Sequence, residues 1–324
     1  MNIGIAGSGM IVPDFLNAAV KINEIKISAI CGREKSIDRI EELSKKYKIE
    51  KMYFKYEAML KDEEIDTIYI ALPNNLHYEF SKEALNAGKN VIVEKPFTSN
   101  YKQAEEIVKI AKEKGLYLLE AITNQYFPNY EKVKELIKEL GDIKIVQLNY
   151  SQYSSRYDSF KKGEIKPVFN PSMSGGALMD LNVYNIYFIT GLFGKPKEVF
   201  YHANIERGID TSGILILEYD DFKCVAVGAK DCKAPLSINI QGDKGYINSS
   251  DASNIFSQFI FSQNDGRSKK FQLNSEKERL YYELKAFEKI IREDDYEENL
   301  RKMNHSLMVM EILDKARNIE GIQI

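Results

Sequence analysis

The alternation of short β-forming runs with helical stretches over the first 120 residues constrains this chain more than any other feature. NIGIAG, EIKISAICG, DTIYIALP, KNVIVEKP and LYLLEA are apolar, β-branched runs. Between them lie a helical stretch over 13–21 and the amphipathic segments SIDRIEELSKKYK, LHYEFSKEALNAG and YKQAEEIVKIAKEKG. Strands that alternate with helices of this length imply βαβ units, and parallel strands in such units carry helices on both faces of one sheet. The expectation is an N-terminal α/β Rossmann domain over 1–120 with a doubly wound parallel sheet.

The pattern changes after residue 120. FPNYEKVKELIKELG reads as one helix. Longer runs in antiparallel style follow: IKIVQLNYSQYS, EVFYHANIE, SGILILEYD, KCVAVGAK, LSINIQGDKGYINS and NIFSQFIFSQ, separated by turn signals such as DD, GDKG and QNDGRS. A helix near MSGGALMDLNVYNIYFITGLFG interrupts them, and the end is helical from SEKERLYYELKAFEKIIRE through HSLMVMEILDKARN. This predicts an α+β domain over 121–324 with a large, mostly antiparallel open sheet, the C-terminal helix having the option of packing back on the first domain. In NIFSQFIFSQ the spacing of Phe256 and Phe259 puts them on opposite faces of a strand, so one is expected to face outward or a partner.

Gly7-Ser8-Gly9 ends the first strand and Met10-Ile11 leads into a helix. In that context G-x-G-x-x-G binds a dinucleotide: the first glycine makes the tight turn, and the second lets the backbone approach a pyrophosphate resting on the helix N-terminus. The third position is Val12, neither Gly nor Ala. The second strand ends in Cys31-Gly32-Arg33-Glu34-Lys35, where an NAD site usually carries Asp or Glu. Arg33 can clamp a 2′-phosphate with paired donors, which favours NADP. The alternative is NAD, with Glu34 on the ribose and Arg33 at the surface. Leu72, Pro73 and Asn74 of ALPNNLH, with His77 just beyond, end another strand and are expected to line the cofactor crevice, although Asn75 could simply cap a helix.

Charge and composition exclude several classes. A net charge of −3 gives no electrostatic case for nucleic acid or an anionic membrane. No apolar run approaches the ~20 residues needed to span a bilayer, and the N-terminus lacks the pattern of a signal peptide. Cys31, Cys224 and Cys232 have no paired spacing, which suggests a reducing, cytoplasmic setting. His77, His202 and His305 are dispersed, so no metal site is expected.

Glu94-Lys95-Pro96 in VIVEKPFTSN resembles the signature of the glucose–fructose oxidoreductase/inositol dehydrogenase (Gfo/Idh/MocA) family. GSG before it, then ALPNNLH, then EAITNQYFP and GGALMDLNVYNIYFITGLFG after it, follow the family order over essentially the whole chain. The resemblance implies that Lys95 is the catalytic lysine beside the nicotinamide. Asp180 matches the aspartate of the family's D-x-G-x-H or D-x-G-x-Y motif, and Tyr184 stands at its last position, as in members resembling dihydrodiol dehydrogenases. By spacing alone Tyr184 would read as a core aromatic. Asn182 replaces the motif's usual Gly, which is expected to tighten the helix start.

Chemistry agrees with these roles. The protein must position a substrate carbon and manage one proton on its oxygen. Tyr184 and Lys95 are expected to share that proton, in either order, with burial and a cofactor cation lowering the lysine's pKa and Glu94 opposing this. Asp180 would orient Lys95 or bind a substrate hydroxyl. Asn124 is a further cofactor candidate. Tyr126, Tyr153 and Arg156, with Tyr157, are substrate candidates, the alternatives being a helix-start staple for Tyr126 and a solvated loop for the others. The leading expectation is an NADP-dependent (NAD possible) oxidoreductase on a sugar, cyclitol or dihydrodiol, and a homo-oligomer, dimer or tetramer, through the open sheet. One competing reading is a non-catalytic nucleotide-binding sugar sensor, which would need neither Lys95 nor Asp180. Another is an enzyme that oxidises transiently and then eliminates a glycoside.

Overall fold

The computed structural model describes residues 1–322. The first 121 residues build a six-stranded, all-parallel sheet in the order β3-β2-β1-β4-β5-β6. Its strands are β1 (Asn2–Ala6), β2 (Lys26–Cys31), β3 (Lys51–Tyr53), β4 (Thr67–Ile70), β5 (Asn90–Glu94) and β6 (Leu118–Ala121). The central strands are buried along nearly their whole length, as a sheet covered on both faces requires. Strand order reverses between β1 and β4. The carboxyl ends flanking that switch are where doubly wound sheets open a ligand crevice.

The connecting helices are α1 (Ile11–Ala19), α2 (Ile37–Tyr47), α3 (Tyr56–Leu60), α4 (His77–Asn86) and α5 (Tyr101–Lys114). Helix α5 shows the local logic well: Asn100 caps it by accepting the Gln103 N–H, and Gly115 ends it in the left-handed conformation at φ 65°. Helix α1 begins two residues before the expected 13–21, because Pro13 sits within its first turn rather than at its start. Strand β3 and helix α3 are too short to carry a periodic signal in the sequence.

This first unit is discontinuous. It includes 278–307 beside 1–121. Within it, Asn299 is fully buried, accepts the Leu118 N–H at 3.1 Å and donates to the Leu116 carbonyl at 3.3 Å. Its amide thus serves the open edge of β6 as a neighbouring strand would. Residues 281–292 form α9 and 296–320 form α10, whose residues from Met308 onward belong to the second unit.

The second unit carries an eight-stranded sheet ordered β14-β13-β12-β11-β7-β10-β9-β8, antiparallel except between β7 and β10. Its strands are β7 (Ile143–Ser151), β8 (Glu198–Glu206), β9 (Ile209–Glu218), β10 (Lys223–Ala229), β11 (Ser237–Gly242), β12 (Gly245–Ser249), β13 (Phe259–Gln263) and β14 (Ser268–Phe271). Helices α6 (Pro128–Leu136), α7 (Tyr157–Lys161) and α8 (Val183–Phe193) belong here. Every residue of α8 from Val183 to Thr190 is buried, which explains why its sequence lacks an amphipathic stripe.

The expectation for Phe256 and Phe259 is corrected. The strand begins only at Phe259, and Phe256 lies before it at φ 35°. That departure from the extended conformation removes the two-residue alternation. Both rings are buried and stack at 5.5 Å between centroids, so this pair gives no argument for a partner.

Candidate active site

The glycine corner is built by contact between the ends of β1 and β4. Gly7 has φ 117°, and a Cβ there would stand 2.4 Å from the Ala71 carbonyl oxygen, so the turn admits only glycine. Gly9 differs: a Cβ would meet only the same oxygen, at 3.8 Å. The protein itself does not need glycine at 9, and the space in front of it is open. No side chain caps α1, Met10 is 75% exposed at its start, and Pro13 contributes no N–H. A bare helix start behind an open glycine is a fitting cradle for a pyrophosphate.

At the end of β2, Gly32 is also constrained: a Cβ would sit 2.6 Å from Ile40 Cδ1 and 4.0 Å from Ser8 Oγ. Ser8 therefore faces the corner that carries Arg33. Arg33 is exposed and forms no ion pair among the described residues. An uncommitted guanidinium and a hydroxyl at one corner fit a 2′-phosphate. Leu72, Pro73 and Asn74 line the end of β4, with Pro73 exposed and its neighbours half-buried.

His77, expected from the sequence beside the cofactor crevice, turns its ring into the protein. It is fully buried, with Nδ1 2.8 Å from the Pro96 carbonyl oxygen and Nε2 2.9 Å from that of Leu72. The ring ties the Leu72–Pro73 corner to the Lys95–Pro96 corner. Burial lowers its pKa, the two carbonyls oppose this and Lys95 adds to it. A neutral imidazole can donate to only one of the two carbonyls at a time.

Lys95 is half-buried, one residue beyond β5, and its peptide bond to Pro96 is cis. Glu94 behind it is buried and accepts a 2.6 Å hydrogen bond from the Tyr69 hydroxyl, whose ring stacks on Phe15 at 3.8 Å. Burial raises the Glu94 pKa, with Tyr69 and Lys95 working against the rise. Glu283 of α9 is buried nearby. Burial and then Glu94 push its pKa well up, and its Oε2 has no hydrogen-bond partner. Tyr69 and Glu283 carried no motif, and only the fold brings them to Glu94.

In the second unit, Gly175-Gly176 opens the segment bearing Asp180 and Tyr184. A Cβ on Gly175 would stand 2.8 Å from the Pro167 carbonyl oxygen. One on Gly176, at φ 108°, would lie 2.1 Å from Asp210 Oδ1. Asp210 is buried and accepts the Leu178 N–H at 2.6 Å and the Tyr201 hydroxyl at 2.8 Å. It caps this helix start from another strand, and burial pushes its pKa up to about 6. Leu178–Asn182 then forms a π-helical turn before α8. The start is widened rather than tightened at Asn182. Asn182 Nδ2 reaches the Ala226 carbonyl at 3.1 Å, and Gly228 opposite leaves it room. Such single π turns recur at functional sites.

Tyr184 is buried, 6.3 Å from the Tyr150 ring. Asn124 is fully buried and donates to the Tyr184 carbonyl at 2.7 Å. It braces α8. Gln125 and Tyr130 do the same for the Tyr187 and Phe188 carbonyls, at 2.9 and 2.8 Å. Three polar bonds thus fix the rotation of an otherwise apolar helix. Tyr126 is half-buried. Tyr153 donates to Asp158 at 2.7 Å and receives Lys161 at 3.0 Å, an exposed cluster on α7 that fits the solvated-loop alternative. Arg156 is half-buried at the N-cap of α7.

Asp180 is held by Lys230. The pair is 2.7 Å apart, with side-chain exposures of 27% for Asp180 and 3% for Lys230. Lys230 lies just past β10 and has no local motif, so the sequence did not reveal it. Among the described residues no group of His, Cys, Asp or Glu is arranged to hold a metal.

Comparison with known proteins agrees with this geometry. Residues 1–121 match the model of the oxidoreductase family with an NAD-binding Rossmann fold (GFO_IDH_MocA), and residues 130–248 match the GFO/IDH/MocA C-terminal domain. The scyllo-inositol 2-dehydrogenase (NADP(+)) IolU of Bacillus subtilis (strain 168) is 33% identical over 99% of this chain and 98% of its own. The trans-1,2-dihydrobenzene-1,2-diol dehydrogenase of Xenopus tropicalis is 29% identical over 75% of this chain and 73% of its own. Among solved structures, KijD10, a 3-ketoreductase from Actinomadura kijaniata in complex with NADP and TDP-benzene, has the same fold, with TM-score 0.84, 22% identity and 98% and 97% of the two chains covered. The chain belongs to the Gfo/Idh/MocA family of oxidoreductases.

Proposed function

We propose that the protein is an NADP-dependent oxidoreductase that interconverts an alcohol and a carbonyl on a sugar, cyclitol or dihydrodiol. The observation that carries this reading is the β5 corner, where half-buried Lys95 adjoins buried Glu94. The named activities of the inositol and dihydrodiol dehydrogenases support the substrate class. Arg33 and Ser8 at the β2 corner support NADP over NAD, as does the NADP named for the bacterial relative.

Gly9, Met10 and Ile11 would hold the pyrophosphate, Ser8 and Arg33 the 2′-phosphate, and Leu72, Pro73 and Asn74 the nicotinamide side. A bound nicotinamide supplies the hydride chemistry. In the oxidation direction one side chain, Tyr184 as its phenolate or Lys95 as its neutral amine, takes the alcohol O–H proton, which returns by the same route on reduction. Asp180 accepts a hydrogen bond from a neighbouring substrate hydroxyl, which selects polyhydroxylated substrates.

Lys95→Met is expected to lower kcat by about a thousandfold while leaving the NADP dissociation constant within about threefold. Activity that survives this change would remove Lys95 from the chemistry.

We also place the chain in a homo-oligomer and in the cytoplasm. Ile145, Phe200, Ile214, Tyr246 and Ile260 are exposed on one face of the eight-stranded sheet, which supports self-association there. Three unpaired cysteines support a reducing compartment.

A further inference from the structure

We propose that His77 is a positioning residue for Lys95, its ring pinning the backbone just beyond the lysine to the segment that follows β4. The proposal rests on the reading above that Lys95 stands at the reacting carbon. Strands β4 and β5 pair in parallel up to Ile70 and Val93. Lys95 comes after β5, beyond that ladder. Two side-chain ties take over where the ladder stops. Before the lysine, Glu94 accepts the hydroxyl of Tyr69 in β4 at 2.6 Å. After it, the His77 ring lies between two carbonyl oxygens, that of Pro96 at 2.8 Å from Nδ1 and that of Leu72 at 2.9 Å from Nε2. The residue on each side of Lys95 is thus fastened to β4 or its continuation.

Fold stability is a weak reason for a histidine in this place. The ring is fully buried at the first position of α4. A neutral imidazole carries one N–H, so one of the two carbonyls faces a lone pair. An imidazolium would donate to both, but it would bury a charge at the positive end of a helix. Burial and Lys95 act against the charged form, and the two carbonyls favour it. A shorter amide side chain would serve one carbonyl as well as a neutral imidazole does. What the imidazole adds is a rigid span, with nitrogens on two sides of one planar ring, each against a different corner. Pro96 has no N–H, so its carbonyl is the polar backbone group through which that residue can be held. Leu72 begins the corner assigned above to the nicotinamide side. The ring therefore sets the spacing between Lys95 and the cofactor's edge of the site. Too buried to meet the substrate itself, His77 works through the lysine.

The test is steady-state kinetics with a polyol substrate and NADP for wild type, His77→Phe, His77→Asn, His77→Gln, Lys95→Met and the double variant His77→Phe/Lys95→Met. His77→Phe keeps a ring and loses both ties. It is expected to lower kcat about 10- to 100-fold, because a displaced lysine fails chiefly in the transition state. KM for the polyol and the NADP dissociation constant stay within about threefold. An Asn amide can stand where Nδ1 does and a Gln amide where Nε2 does, so each variant recovers part of kcat and neither recovers all of it. The double variant is no slower than Lys95→Met alone, since His77 acts through the lysine. A purely structural His77 would lower the melting temperature but leave kcat unchanged, and that result overturns the proposal. Effects of His77→Phe and Lys95→Met that simply add overturn it, as does full recovery by either single-ended variant. If His77→Phe does not fold, His77→Asn and His77→Gln, each combined with Lys95→Met, carry the same comparison. A wild type that turns over no polyol overturns the reading of the site and this inference together, whereas an active wild type with an unchanged His77→Phe overturns the inference alone.

Discussion

Asp210 has no motif, yet it decides where Asp180 and Tyr184 stand. Its carboxylate takes the Leu178 N–H and the Tyr201 hydroxyl, and its other oxygen presses on Gly176. Its pKa is raised to about 6, so the folded state holds a proton there that the unfolded chain has released. The stabilisation is therefore full below the ordinary aspartate range near 4 and is lost as pH rises through about 6. Asp210→Asn keeps an acceptor oxygen without the charge. Relative to wild type, this variant should gain about 2–3 kcal/mol between pH 4 and pH 7, read from denaturant unfolding at several pH values. A difference that stays flat with pH would show that Asp210 ionises freely. Gly175-Gly176 was legible as part of a motif, but the reason for it was not. The clash that forbids a Cβ on Gly176 involves Asp210, 34 positions on, and no local pattern announces that pairing.

At the scale of elements, the two opening glycines have separable jobs. Gly7 is demanded by the fold, since any Cβ drives into the Ala71 carbonyl at positive φ. Gly9 is demanded by nothing inside the protein. Gly7→Ala should lower the stability of the cofactor-free protein by several kcal/mol, on the order of 2–4. Gly9→Ala should leave that stability within about 0.5 kcal/mol but weaken NADP binding about tenfold or more. Thermal unfolding without cofactor and calorimetric titration with it separate the two. An equally unstable Gly9→Ala would mean that this corner was not shaped for a ligand. The sequence made these corners readable because strand, glycine and helix are adjacent in the chain. The packing of His77 and Asn124 was hidden for the converse reason. Their types and positions suit a cofactor site, but their partners are backbone carbonyls of Pro96, Leu72 and Tyr184, up to 60 residues away. The short β3 and α3 escaped because three and five residues cannot show a period.

At the scale of the whole molecule, the alternation of strands and helices announced the parallel sheet, and the longer alternating runs announced the mostly antiparallel one. The return of 278–307 to the first unit was less visible, since it depends on Asn299 meeting the β6 edge rather than on composition. The two units supply different chemistry, a dinucleotide cradle with Lys95 in one and the Asp180, Tyr184 and Lys230 group in the other. NADP-linked oxidation of a polyol is the activity to be tested. The most direct measurement is the initial rate of reduced-nicotinamide formation with scyllo-inositol and a panel of aldoses and dihydrodiols, run with NADP and with NAD for wild type and Arg33→Ala. The expected result is turnover with at least one polyol, kcat/KM for NADP about tenfold or more above that for NAD, and loss of that preference in Arg33→Ala. Turnover that prefers NAD, or is indifferent to Arg33, contradicts the assignment of the β2 corner; no turnover with either cofactor contradicts an NADP-linked polyol oxidoreductase.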